Sequence, residues 1–417
     1  MPNKVARTSA VAAAAEPRVP EKAVLPARSP HAGKPGMTFA GIVRFFSSLR
    51  LTVVCLGLGM VLIFSGTLAQ VNLGLYEAQN RFFRSFFIYW TPAASGWKIP
   101  VFPGGYLIGG VLLVNLLTAH FARFKLTRKK IGIWMIHIGI ILLLVGQFLT
   151  DMLSHESSLH LRNGQASNYS VAEREAELAV IDTSDADTDK VVAIPQGLLR
   201  HQNVIQSAEM PFSVKVLKYF PNSTLEKLEP GAGPAPASKG VGSRVSVHEL
   251  PRVTDMDHRD VPSAIVEIDS PQGSLGSWLV SEFIDQPQTF AFDGRTYQLV
   301  MRTRRIYEPY TIQLLKFQHD VYAGTDIPKN FASRILLQRP ETGEKREVLI
   351  YMNSPLRYAG KTYYQASFDP DDGGTVLQVV RNPGWLTPYF SCVLVGAGLL
   401  VQFLTHLIGF ALKWRTA

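Results

Sequence analysis

The sequence predicts an α-helical membrane protein with four transmembrane helices and a large extracytoplasmic β-rich domain, an antiparallel sandwich or open barrel, between helices 3 and 4. Three observations predict it. Four apolar runs are long enough to cross the ~30 Å hydrocarbon core of a bilayer. A long stretch of apolar/polar alternation separates the third run from the fourth. Charge is also segregated, although the average over 417 residues is bland, with a mean hydropathy of +0.09 and a net charge of +9. Residues 1–150 carry sixteen Lys/Arg against three Asp/Glu, residues 151–385 are net −6 and residues 386–417 net +2. Segregation of this kind fits a membrane with two unlike sides, and no nucleic-acid partner is expected.

Residues 1–36 are Ala/Pro-rich, basic and without periodicity, and they read as a disordered cytoplasmic tail. The first apolar run begins near Leu51, too late for a signal peptide. Within residues 37–150 the expected spans are approximately 51–71, 104–122 and 131–149; the fourth lies in residues 386–417. Their flanks orient them. "RFFSSLR" precedes the first, "RFKLTRKK" joins the second to the third, and "KWR" follows the fourth, so all three basic segments fall on one side. By the positive-inside rule that side is cytoplasmic, both termini with it, in a bacterial inner membrane. Residues 151–385 then face the periplasm. Trp385, Tyr389 and Trp414 fall where an aromatic belt is expected.

The two cysteines, Cys55 and Cys392, each sit in an apolar run, and no CxxC, CxxCH or Cys/His finger spacing occurs. That argues against a thiol–disulfide oxidoreductase and against a c-type cytochrome. In 151–385, segments such as "FSVKVLKYF", "SAIVEIDS", "RTYQLVMRTRRIY" and "YTIQLLKFQHDVY" alternate between turn signals, which predicts strands. In "MNSPLRYAGKTYYQ" (352–365), Gly360 predicts a hairpin turn with Tyr363 in the core. Asn353, Arg357 and Gln365 are candidates for a docking surface.

Most of the ten histidines have plain explanations in the tail, in polar loops or in strands, and His155 and His160 lie just outside the third span. His137 and His406 differ. Six residues separate His137 from Ile131 and seven separate His406 from Lys413, so both rings lie ~10 Å inside the basic ends of antiparallel helices. Ionisable groups at such depth face the bundle interior and have partners. Haem is one ligand that wants neutral imidazoles in an apolar slot; zinc would want further donors at that depth. The other reading is a pair of histidines hydrogen-bonded to each other, to backbone or to Gln402. On the third helix, Gly139 and Gly146 lie opposite His137 and leave that face for close helix packing. His120, at the end of the second span, is a third candidate.

The spans "SSLRLTVVCLGLGMVLIFSGTLAQ" and "IHIGIILLLVGQFLTDMLSHESSLHLRNGQ", with "YMNSPLRYAGKTYYQASFDPD" and "RNPGW" before the fourth span, resemble the ResB-type proteins of system II cytochrome c biogenesis. The resemblance runs from about residue 43 to the C-terminus. It implies four spans with a large outer domain, a ResC-type haem-handling partner, contact with thiol-reducing pathway proteins, and delivery of haem to apocytochrome c. It also implies haem b with axial histidine ligation at His137. His406 sits near where relatives carry a histidine beside arginines, but here the basic residues come later. The function expected is thus a haem-relaying assembly factor with no catalytic residues of its own. A b-haem electron-transfer subunit and a cofactor-free membrane scaffold stay open as alternatives.

Overall fold

The computed structural model describes residues 38–92, 96–123, 127–229, 234–255, 258–325 and 328–415; the tail expected over 1–36 lies outside them. In chain order the helices are α1 (Phe39–Phe46), α2 (Leu49–Leu73), α3 (Leu75–Ala78), α4 (Gly105–Arg123), α5 (Ile131–Leu153), α6 (Gln196–His201) and α7 (Thr387–Arg415). Four of them, α2, α4, α5 and α7, are long and apolar enough to cross a membrane. They pack as a row, α2 on α4, α4 on α5 and α5 on α7.

Two unlike seams hold the row. Between α2 and α4 the glue is polar. Asn115, buried in the middle of α4, donates to the carbonyls of Phe46 (2.5 Å) and Ser48 (3.0 Å), and its oxygen accepts from Thr52 Oγ1 at 2.6 Å. The Phe46 carbonyl, at the C-terminal end of α1 where helical acceptors lack partners, is thereby satisfied. Between α5 and α7 the seam is steric. Gly132, Gly139 and Gly146 recur at every seventh residue and are all buried. A Cβ on Gly132 would come 2.6 Å from the Gly398 carbonyl oxygen, and one on Gly139 would come 2.6 Å from Val395 Cγ2. Only glycine lets these two backbones approach so closely.

The strands are β1 (Phe87–Trp90) and β2 (Ile99–Pro103), a hairpin between α3 and α4, followed by β3 (His155–Arg162), β4 (Ala166–Asp182), β5 (Lys190–Pro195), β6 (Val204–Ile205), β7 (Ser213–Phe220), β8 (Ser223–Lys227), β9 (Val245–Glu249), β10 (Ser263–Ser270), β11 (Gly273–Ser281), β12 (Gln288–Phe292), β13 (Arg295–Val321), β14 (Pro328–Arg339), β15 (Glu344–Tyr351), β16 (Leu356–Tyr358), β17 (Lys361–Phe368) and β18 (Gly374–Arg381). A four-stranded sheet runs β11-β10-β7-β6. A ten-stranded sheet runs β15-β14-β13-β4-β3-β18-β17-β16, with β12 on β13 and β5 on β4.

One observation departs from the sequence pattern. The segments "RTYQLVMRTRRIY" and "YTIQLLKFQHDVY" are a single 27-residue strand, β13. Glu308 and Pro309 lie between the two segments. Proline removes one ladder donor, and β13 answers with a slip in its register against β4 between Tyr307 and Ile312. The two halves of β13 feed two cores. Tyr297, Leu299 and Met301 join Val214, Val266 and Val280 of the small sheet, which is a sandwich. Tyr310, Ile312 and Leu314 join Leu161, Ile335, Ile350 and Leu377 of the large sheet alone, which curls over its own core. Gln365 of β17 accepts from Ser333 of β14 at 2.6 Å, and Tyr358 of β16 donates to Glu344 of β15 at 2.6 Å, so the far edges nearly meet. Inside this curl, burial holds the Tyr310 hydroxyl 2.7 Å from that of Tyr363 and pushes its pKa up to about 12.

Candidate functional site in the membrane-spanning helices

The glycine seam decides where His137 points. At ~100° per residue, Gly139 and Gly146 lie about 180–200° round α5 from His137. Since those glycines seat α7, the imidazole is on the other side, toward α4. There it meets His120, with ring centroids 6.1 Å apart and planes at 54°. His120 is 3% exposed. Trp134, one turn before His137, lies edge-on against His120 with centroids 3.8 Å apart. His137 Nδ1 is 2.9 Å from the Ile133 carbonyl oxygen. If that nitrogen carries the proton, Nε2 is left as the lone-pair nitrogen, the state in which backbone carbonyls hold metal-ligating histidines.

His406 is elsewhere. It is exposed on α7, and its Nε2 lies 2.7 Å from Nε2 of Gln402, one turn earlier. The α5–α7 contacts set Gly139 against Ser391 and Val395 and Gly132 against Gly398 and Gln402, so His406 lies a turn beyond the start of α5 and ~16 Å along the helix axis from the level of His137. The two rings that share a depth in the sequence do not share a pocket. The structure pairs His137 with His120 instead, a residue whose span-end position gave little hint of its role.

Two imidazoles that straddle one iron have ring centroids roughly 6 Å apart, from two metal–nitrogen bonds of ~2 Å and half a ring at either end. The 6.1 Å spacing matches that separation, but Trp134 packs against His120 at 3.8 Å and both His120 ring nitrogens are buried, so a macrocycle held by His137 and His120 would need Trp134 to move aside. A zinc site is not supported: among the described residues no three His, Cys, Asp or Glu side chains group as metal ligands.

The other residues singled out in the sequence have local duties. Ala359 and Gly360 both take positive φ, which closes β16 on β17 with the two-residue turn that such φ values favour. The Arg357 guanidinium lies 3.7 Å from the Trp385 ring centroid, and Gln365 bonds Ser333 and Thr375. His160 pairs with Asp369 at 2.8 Å, and His319 with Asp372 at 3.0 Å.

Four apolar helices and a β-rich domain of two cores define a membrane-embedded protein with a large strand domain. The comparisons say which kind. Residues 268–375 match the model of the ResB-like family, and the ResB-type resemblance seen in the sequence holds. That match runs from the end of β10 to the start of β18 and does not reach the spans. Protein NrfI of Wolinella succinogenes is 25% identical over 295 residues, which is 71% of this chain and 29% of NrfI. The chain therefore spans under a third of the length of that relative. With four helices long and apolar enough to cross a membrane and a segment that matches the ResB-like family, it is an integral membrane protein.

Proposed function

We propose that this protein is an assembly factor for c-type cytochromes. It would bind haem b between α4 and α5 through His137 and release it toward a ResC-type partner for attachment to apocytochrome c. The observation that carries the reading is an imidazole inside an apolar helix, turned away from the glycine seam and facing a second buried imidazole at 6.1 Å. An ionisable ring at that depth is a cost that function repays. The basic flanks of the spans favour a cytoplasmic side at the His137 end, so haem would enter there and the strand domain would face the periplasm. In this reading His120 is the second axial donor within the chain, and His406 is a satisfied polar residue. The strand domain then serves as the platform for partner, apocytochrome and thiol-reducing proteins.

The residues of this chain position and retain; haem supplies the iron that the imidazoles ligate. The test is optical. The purified full-length protein, alone and with its partner, should show a Soret band of b-type haem, and His137→Ala should remove most of it while leaving the melting temperature within a few degrees. A wild type without haem in both preparations would remove the basis of the proposal.

A further inference from the structure

A cavity of about 830 Å³ opens where the helices meet the strand domain, within the ~300–1,000 Å³ range of ligand pockets. Its floor is built from span ends. Tyr106, at the start of α4, donates to Asp151 near the end of α5, and Arg84 pairs with the same carboxylate at 2.9 Å. Asp151 thus ties α4, α5 and the segment after α3 together beneath the cavity. The roof is the base of the domain, from β3, β4, β13, β17 and β18.

The charge of this recess is opposite to that of its surroundings. Residues 151–385 are net −6, yet the lining has five basic side chains, Arg84, Arg174, Arg304, Lys361 and Arg381, against three acidic ones. Several are already engaged. Arg304 pairs with Glu175 at 2.5 Å, Lys361 pairs with Glu308, and Arg174 lies 4.3 Å over the Tyr76 ring. Arg381 is different. At the end of β18 it sits cross-strand from His155 and has no acidic partner among the described residues. Concentrating cations in a concave site raises the local positive potential and costs free energy that an anion offsets. Tyr76, Tyr106 and Ile306 line the same space, so the recess offers apolar surface beside its charge at the level where a bilayer has its headgroups.

We propose that this cavity binds the anionic head of an amphiphile that enters from the membrane surface, its carboxylate or phosphate oxygens on Arg381 and its apolar body against the span ends. Two sources carry that chemistry, the paired carboxylates of a porphyrin and the phosphate of a phospholipid. The inference stands apart from haem ligation at His137, because it rests on charge and not on imidazole.

The test uses the full-length protein in neutral detergent. Iron-free protoporphyrin, which histidine cannot ligate, is titrated beside its dimethyl ester, and phosphatidylglycerol vesicles are compared with phosphatidylcholine. Either the porphyrin diacid or the phosphatidylglycerol should bind at least about tenfold more tightly than its neutral counterpart, and whichever does identifies the source. Arg381→Gln and Arg381→Glu should each remove that preference, Arg381→Lys should keep it, and binding should weaken as salt rises. If neither probe is preferred, or if folded Arg381→Glu binds like wild type, the proposal is overturned. The Soret test of His137 is unaffected by that outcome.

Discussion

The two faces of α5 are built on opposite rules. One face has Gly132, Gly139 and Gly146, each buried against α7 with no room for a methyl group. The other has Trp134 and His137, whose rings approach His120 of α4. The first face buries backbone against backbone and leaves nothing for a ligand to touch. The second faces its neighbour with polarisable rings and ring nitrogens. Close packing on one side fixes the azimuth of α5, and that fixes the direction of the only histidine within the helix. What looks like a packing motif is therefore also a positioning device for the imidazole.

Breaking the packed face should have the largest effect. Gly139→Leu places a branched side chain where Val395 and the Ser391 carbonyl already stand. Overpacking of this kind costs about 3 kcal/mol, and here the seam can relieve it only by parting α5 from α7. The expected outcome is a melting temperature lower by many degrees and a loss of monodisperse protein in size-exclusion chromatography. A wild-type melt for Gly139→Leu would mean that the seam is not the constraint described here.

The other face should respond in haem and not in stability. If His120 is the second axial donor, His120→Ala should lower haem content at least about twofold and convert the remainder from a six-coordinate to a five-coordinate spectrum, with added imidazole restoring the former. A six-coordinate spectrum unchanged in His120→Ala would move the second ligand to the partner protein. Between these extremes lies the polar seam. Asn115→Ala removes three hydrogen bonds at the start of α2. Interhelical bonds in membranes average ~0.6 kcal/mol each, so a drop of a few degrees in melting temperature is expected, with haem content held.

Part of this contrast was legible in the sequence. Hydropathy and helical period are local properties, so the four apolar helices and the glycine stripe opposite His137 could be read directly. The hairpin at Gly360 was also legible, because positive φ at two adjacent residues has few solutions. What escaped was non-local. The segments on either side of Glu308–Pro309 read as two alternating runs, yet the ladder of β4 continues past the pair and absorbs the proline as a register slip. His120 ranked behind His137 and His406 because its value depends on which helix abuts α5, and a single chain read in order carries no record of that.

The structure does not bring His137 and His406 together, for a related reason, and that supplies the smallest expected effect. Counting residues from the basic flanks gives depth, one coordinate of three. That count assumes that both helices start at one level, but the register of Gly132 on Gln402 and Gly139 on Val395 sets His406 ~16 Å along the axis from His137, and the same glycines turn His137 away from α7. His406 keeps its bond to Gln402 and is exposed, so its removal strips a short-range contact of a kind worth about 1 kcal/mol or less. His406→Ala should therefore leave the Soret band, the spin state and the melting temperature of the isolated protein close to wild type. The double variant His137→Ala/His406→Ala should be indistinguishable from His137→Ala. A Soret loss in His406→Ala equal to that in His137→Ala would break the comparison at its root, because His406 can share an iron with His137 only if α5 both turns and slides on its glycine seat against α7.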